Sequence, residues 1–298
     1  MGDPVSTRAG FVALAGRPNV GKSTLVNAIV GSKVAIVSDK PQTTRRAIRG
    51  IAMRGDAQLV LVDLPGVQRP RDALTERMQG RVDRELSDAD AALMLLNGEQ
   101  GAGPGDRFIA AALARAGVPV AIAVNKIDRL DRAHTLAALQ AAADLGVGED
   151  IFPISARKGT GIEALTGHLV GLLPEGPHLY DVDDLSDQPE PVLVAELIRE
   201  QILRRTFQEV PHAVEVIVED IDWGREDLIR IQALAWVEAE SQKGILIGAH
   251  GKMIKAIGTA ARREIERHLG GRAHLDLSVH VRRKWRADDA LLDRLGIE

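Results

Sequence analysis

From Phe11 to about Leu173, short apolar runs alternate with helix-length segments of mixed polarity, the pattern of a parallel sheet covered by helices. The runs FVALA (11–15), QLVLVDL (58–64), AALMLL (91–96), VPVAIAV (118–124) and DIFPIS (150–155) predict strands. AIRGIAM (47–53) lies close to the strand ending at Asp63 and predicts an edge strand. Helices are expected over Lys22–Val30, Asp72–Ser87, Asp106–Ala116, Ala133–Leu145 and Ile162–Leu173. This makes one α/β domain, residues 1–176.

Between Pro174 and Pro191 the composition turns rich in proline and acid with no sustained period, so residues 177–191 read as a linker. A smaller α+β domain is expected over 192–298. Its predicted order is a helix (Val192–Arg205), two strands (Ala213–Asp222 and Asp227–Glu238), a glycine turn, two helices (Lys252–Ile257 and Thr259–Leu269) and a strand (Ala273–Val281). No internal repeat is visible.

The chain has 298 residues, 45% of them hydrophobic, enough for two domains with real cores, and this excludes a disordered chain. It has no cysteine, which rules out a disulfide framework and cysteine-ligated zinc and fits a reducing compartment, so the cytoplasm is expected. No run approaches the ~18 apolar residues of a membrane span, and the start lacks an apolar signal core. Gly2 and Ser6 fit the N-myristoylation pattern, a loose one that chance often satisfies.

Gly16-Arg-Pro-Asn19-Val20-Gly21-Lys22-Ser23 matches GxxxxGK[ST], after a strand and before a helix. Glycines let the backbone curl so that N–H groups point inward, and the helix start adds partial positive charge. Lys22 would neutralise β- and γ-phosphate oxygens, the Ser23 hydroxyl would bind Mg²⁺, and Thr24 continues the loop into the helix. A glycine turn that merely connects strand to helix is the plain alternative. Asp63-Leu-Pro-Gly66 closes the next strand, where a Mg²⁺-side carboxylate belongs, and Gly66 can bring its N–H to the γ-phosphate. In Pro41-Gln-Thr-Thr-Arg45, Thr44 rather than Thr43 is expected to reach Mg²⁺ when the γ-phosphate is present.

Asn125-Lys126-Ile127-Asp128 ends another strand. Guanine offers N1–H and an exocyclic amine to one carboxylate, a donor pair that adenine lacks, so Asp128 would select guanine. Asn125 would hold the loop, the stem of Lys126 would cover a ring face, and Ser155-Ala156-Arg157 would supply a backbone N–H to the guanine carbonyl. NKxD and DxxG are weak motifs singly; their order, each at a strand end, carries the reading.

GRPNVGKS, PQTTR, DLPG, NKID and SAR together resemble the motif set of the translation-factor-like GTPases, and PQTTR with the overall length resembles the Era family. That resemblance implies a GTPase that aids maturation of the small (30S) ribosomal subunit by binding the 3′ end of its ribosomal RNA, with GTP or GDP and Mg²⁺ as ligands and Lys22, Thr44, Gly66 and Asn19 as candidate catalytic residues. In Ras-like proteins a glutamine after the DxxG glycine orients the attacking water. Here that residue is Val67, so slow intrinsic turnover is expected. Relatives with this substitution use a K⁺ ion held partly by a phosphate-loop asparagine, and Asn19 occupies that position. Membrane-surface contact has been proposed for the family, but no amphipathic basic anchor stands out here. A monomer is expected.

Ile247-Gly248-Ala249-His250-Gly251 contains a GxxG inside the helix–strand order given above, which resembles a type II KH domain, whose loop clamps the backbone of single-stranded RNA. Between Ser241 and Arg286 stand eleven basic residues against three acidic ones. Lys252, Lys255 and the cluster Arg282-Arg283-Lys284-Trp285-Arg286 are the candidate phosphate contacts, although a solvated helix face could carry part of this charge. Aromatics at 3% argue against a stacking platform. An apolar groove of Ile245, Ile247, Ile254 and Ile257 fits better, with Trp223 and Trp236 in the core. No histidine spacing suggests a metal.

Two readings follow: a GTP-driven RNA-binding switch, and a constitutive RNA-binding chaperone for which GTP is a structural ligand. A Der-like protein would need two GTPase domains, and there is one phosphate loop.

Overall fold

The computed structural model describes residues 7–67, 70, 72–224 and 228–297. Gly2, Ser6 and Asp227 lie outside them. In the first half the chain runs β1 (Arg8–Ala15), α1 (Lys22–Val30), β2 (Ile48–Arg54), β3 (Ala57–Asp63), α2 (Ala73–Asp88), β4 (Ala91–Asn97), α3 (Pro104–Ala116), β5 (Val120–Asn125), α4 (Arg132–Ala143), β6 (Ile151–Pro153) and α5 (Ile162–Leu172). The sheet order is β2-β3-β1-β4-β5-β6, parallel except for the edge strand β2, which pairs antiparallel with β3.

The strands read as unbroken apolar runs because both faces are covered. On β1, Val12 and Leu14 pack with Leu25 and Ile29 of α1 and Leu165 of α5, while Ala13 and Ala15 pack with Val82 of α2 and Leu113 of α3. The phosphate loop, Asp63, Asn125 and Ser155 all follow the C-terminal ends of strands, the edge where ligands bind in such sheets.

Residues 174–189 hold no helix or strand but are strapped along the sheet edge, and residues 190–191 of the expected linker open the next helix. The Ile51 N–H donates to Leu185 O at 2.9 Å, and the buried Gln58 amide donates to Tyr180 O and accepts from the Leu179 N–H, at 2.8 and 2.7 Å.

The second half comprises α6 (Glu190–Arg205), α7 (Val210–Ala213), β7 (Glu215–Asp222), β8 (Leu228–Val237), α8 (Glu240–Ile247), α9 (Lys252–Leu269), β9 (Arg272–Val281) and α10 (Asp289–Arg294). Its sheet order is β7-β8-β9, with β7 antiparallel and β9 parallel to β8. One face carries α6, α8 and α9 through Val194, Ile198, Leu246, Ile257, Ala261 and Ile265. On the other face Trp236 packs with Trp285, Leu292, Leu295 and Ile297, and with Leu74 and Met78 of α2 from the first half.

Several expectations need correction. The two helices expected at Lys252–Ile257 and Thr259–Leu269 are one, because Ile257, Ala261 and Ile265 keep a single buried stripe across Gly258. Much of the expected glycine turn is α8, whose start is secured by the Gln242 side chain accepting from the Glu238 and Ala239 N–H groups, and the turn itself is confined to Gly248–Gly251. Ala213 closes α7, so the strand begins at Glu215. Trp236 is core, but Trp223 is 52% exposed, beyond the end of β7.

Candidate nucleotide site and nucleic-acid interface

The phosphate loop is shaped by close approach. Gly21 has φ +108°, and a Cβ there would lie 2.3 Å from Asn125 Nδ2, so only glycine fits. The first turn of α1 has no side-chain cap and no acid, which leaves its N–H groups for an anion. Lys22 is buried and folds back, donating to Gly16 O at 3.0 Å and Arg17 O at 3.2 Å. Burial lowers its ammonium to about 8, with Asp63 acting in the opposite sense. Thr24 lines the same cleft, while the Val20 side chain is in the core.

Three oxygens from three separate segments converge beside Lys22. Ser23 Oγ donates to Asp63 Oδ2 at 2.6 Å, Thr44 Oγ1 donates to the same atom at 3.3 Å, and the two hydroxyls are 3.2 Å apart. Asp63 Oδ1 is buried without a hydrogen-bond partner, and burial pushes the carboxyl up, opposed by Lys22, Ser23 and Thr44. A hard oxygen set with an orphaned carboxylate atom fits Mg²⁺. Thr43 stands elsewhere, its hydroxyl donating to Lys40 O at 2.6 Å. A Cβ on Gly66 would lie 2.8 Å from Pro18 Cγ, and Val67 is buried in the core. Asn19, at φ +63°, donates through Nδ2 to Asp39 O at 2.6 Å.

The base loops are joined through Asn125. Its Nδ2 donates to Val20 O at 2.8 Å, and its Oδ1 accepts from the N–H groups of Lys126 and Ala156 at 2.8 and 3.0 Å. Of the residue 155–157 N–H groups expected to serve the guanine carbonyl, that of Ala156 is engaged by Asn125 here. Lys126 reaches across to Asn19 O at 2.9 Å. Asp128 is exposed, and Ser155 Oγ donates to it at 2.6 Å, which lowers its carboxyl. Motif matching assigned Ser155 only its backbone; the pairing of its hydroxyl with Asp128 has no sequence signal of its own. Arg157 is exposed at the rim.

On the second half, Gly248 and Gly251 have φ +69° and +73°, and His250 between them is also left-handed at +52°. A Cβ on Gly248 would lie 2.7 Å from the Met253 Cβ. Ala249, His250, Lys252 and Lys255 are exposed at the uncapped start of α9, and Ile247 is half-buried. A groove between α9 and the edge strand β9 is lined by Ile254, Lys255, Arg262 and Leu277. Ile257 is fully buried in the core and does not line it. Arg282, Arg283 and Lys284 are exposed, as a phosphate contact requires. Trp285 and Arg286 leave that cluster: Trp285 is fully buried, and Arg286 pairs with Glu238 at 2.6 Å.

Sequence reasoning missed the contact between the halves. Arg45 pairs with Glu215 at 2.6 Å, Arg46 with Glu196 at 3.2 Å, and Lys33 with Glu200 at 2.6 Å. The only signal was charge inside the apolar stretch VLVAELIREQIL of α6.

A phosphate loop on a mostly parallel sheet, joined to a GxxG domain, defines a P-loop GTPase with a KH domain. Residues 11–126 match the family described as 50S ribosome-binding GTPase, and residues 209–286 match the KH domain family. The chain is 47% identical over 300 residues to GTPase Era of Nocardioides sp. (strain ATCC BAA-499 / JS614), covering 97% of this chain and 96% of that one. It is 44% identical over 296 residues to GTPase Era of Mycolicibacterium smegmatis, covering 97% and 98%. Two solved structures superpose with TM-score 0.94 at 33% identity: an Aquifex aeolicus Era variant bound to GDP and AlF4⁻, covering 97% of this chain and 99% of that one, and Era in complex with MgGDPNP and nucleotides 1506–1542 of 16S ribosomal RNA, covering 98% and 99%. The chain belongs to the GTPase Era family, whose members hydrolyse GTP.

Proposed function

We propose that this chain is a GTP-driven switch that binds single-stranded RNA, the 3′ end of small-subunit ribosomal RNA, during assembly of the 30S subunit. The observation that carries it is the convergence of Ser23, Thr44 and Asp63 oxygens within 2.6–3.3 Å, which ties the PQTTR loop to the phosphate loop. The match to an Era structure holding MgGDPNP and 16S ribosomal RNA supports the same ligands here.

In this reading residues 1–176 form the GTPase domain, 177–191 the connection and 192–298 the RNA-binding domain. Lys22 neutralises the β- and γ-phosphates, while Ser23, Thr44 and Asp63 hold Mg²⁺, which would draw charge from the phosphate oxygens. Water attacks the γ-phosphorus in line, the bond to the β–γ bridging oxygen breaks, and GDP and phosphate leave. The Gly66 N–H stabilises the transferring group. Asp128 accepts the guanine donor pair, with Asn125, Lys126 and residues 155–157 closing the pocket. Val67 supplies no group for the water, so unassisted turnover is slow. K⁺ is the proposed aid: the Asn19 amide nitrogen is spent on Asp39 O, and its oxygen is the atom a cation would take.

Ile247, the GxxG residues 248–251, Lys252, Lys255, Arg282, Arg283 and Lys284 form the RNA contact. The helix α9 that carries part of this charge buries its apolar stripe in the core, so it is not free to anchor to a membrane. No helix among the described residues is long and apolar enough to cross one. We place the work in the cytoplasm, by a monomer.

The test is phosphate release from GTP with K⁺ and RNA present, alongside RNA affinity in GDP and in a non-hydrolysable GTP analogue. No release sinks the enzyme reading. Equal affinities favour the second reading, suggested by Val67, of a chaperone for which GTP is structural.

A further inference from the structure

Arg199 stands in the middle of α6, where every residue from Leu193 to Leu203 is buried. Its side chain is fully buried, so partners for its donors must come from the protein, and among the described residues Nη1 has none. Nε and Nη2 fork onto Glu196 at 3.0 and 2.6 Å. Nη2 also donates across the domain contact to the backbone carbonyl of Thr43. Thr43 immediately precedes Thr44, whose hydroxyl meets Ser23 and Asp63. Other groups of the same half hold the same loop: Glu200 Oε1 accepts from the Val37 N–H at 3.0 Å, and Glu215 accepts from Arg45 at 2.6 Å. Residues 37–45 have no helix or strand of their own. Their path is set by the oxygens beside the phosphate loop on one side and by the second half on the other.

We infer that Arg199 is a positioning residue of the nucleotide site, supplied by the RNA-binding half: by holding the Thr43 carbonyl it fixes where the Thr44 hydroxyl sits. This rests on the GTP-switch reading and names the residue through which the switch is coupled. A γ-phosphate with its Mg²⁺ needs Thr44 in place, whereas GDP does not, so the Arg199 contact favours the triphosphate state. α6 packs directly on α9, the helix that starts at the GxxG loop, through one shared core that includes Ile198 and Ile257. RNA bound at that loop and GTP bound at the phosphate loop therefore bias the same contact, and coupling of this kind is reciprocal.

The experiment uses full-length Arg199→Lys and Arg199→Gln beside wild type. Lysine keeps the charge beside Glu196 but lacks the fork that serves Glu196 and Thr43 together. Affinities for GDP and for a non-hydrolysable GTP analogue are measured across a Mg²⁺ titration, and thermal unfolding checks the fold. In both variants the analogue should bind about tenfold more weakly and need about tenfold more Mg²⁺, with no matching loss for GDP. Equal losses for GDP and analogue, or no change for the analogue, would overturn the proposal. If Arg199→Gln does not fold, the lysine variant decides. RNA affinity of wild type in the two nucleotides reports on the switch reading separately, since the Mg²⁺ response of the variants decides the role of Arg199 whatever that comparison gives.

Discussion

The guanidinium of Arg45 and the carboxylate of Glu215 meet at 2.6 Å with both side chains fully buried, one from each half of the chain. Arg45 also donates to Val214 O at 2.6 Å and lies 5.4 Å from the Trp285 ring. Because breaking such a pair leaves a buried charge uncompensated, Arg45→Ala should cost about 3–5 kcal/mol. The double variant Arg45→Met/Glu215→Leu, which removes both charges, should lie closer to wild type. Urea unfolding of the three proteins decides; a single variant as stable as wild type would show the pair to be idle.

Acid should loosen the same contact. Burial alone would push the Glu215 carboxyl up, but Arg46, Arg45 and Arg199 hold it at about 2, below the ordinary 4.5. A folded value below the unfolded one means that this stabilisation is complete above pH 4.5 and is lost as pH falls toward 2. Urea midpoints of wild type should therefore drop more steeply across that window than those of Glu215→Gln. Parallel curves would contradict this.

For Lys22, burial sets a proton affinity of about 8 in the nucleotide-free protein, below the ordinary 10.5. Only the ammonium can neutralise phosphate, so GTP affinity should fall as pH rises through 8. Lys22→Ala should lose roughly 10²–10³ in kcat. It should also flatten the pH dependence of GTP binding, which a titration series by calorimetry would reveal.

Guanine choice should follow Asp128 and its partner. Ser155→Ala removes the 2.6 Å bond that aims the carboxylate and should weaken GDP binding roughly tenfold. Asp128→Asn replaces two acceptors with one acceptor and one donor, which suits the N1–H and carbonyl of xanthine rather than guanine. Competition between GTP and XTP should reverse in that variant; continued preference for GTP would remove Asp128 from base selection.

At the proposed RNA face, Lys252 and Lys255 are exposed beside the GxxG loop. Replacing each with alanine should weaken RNA binding across sequences and lower the slope of log affinity against log salt by roughly 1 per lysine. An unchanged slope would mean that the phosphates run elsewhere.

The phosphate loop, the DLPG and NKID segments and the GxxG were legible because each is local: a few residues whose backbone freedom and side-chain chemistry are set within one turn. The strands were legible because helices on both faces demand unbroken apolar runs, as at Val12 to Ala15. Gly258 and the start of α8 were misread because a glycine or a polar approach resembles a break until packing is known. Ile257 with Ala261, and Gln242 capping Glu238 and Ala239, override that local signal.

By itself, then, the sequence determined the two folds and the nucleotide chemistry, since these depend on neighbours along the chain. Only the tertiary structure decided that Arg45, Arg199 and Glu215 form one buried cluster, that Trp285 is core rather than RNA contact, and that α2 packs against the C-terminal residues of the second half. These partners lie far apart in sequence: Arg45 and Glu215 are separated by 170 positions, and no local pattern records which charges will meet when two halves close on each other.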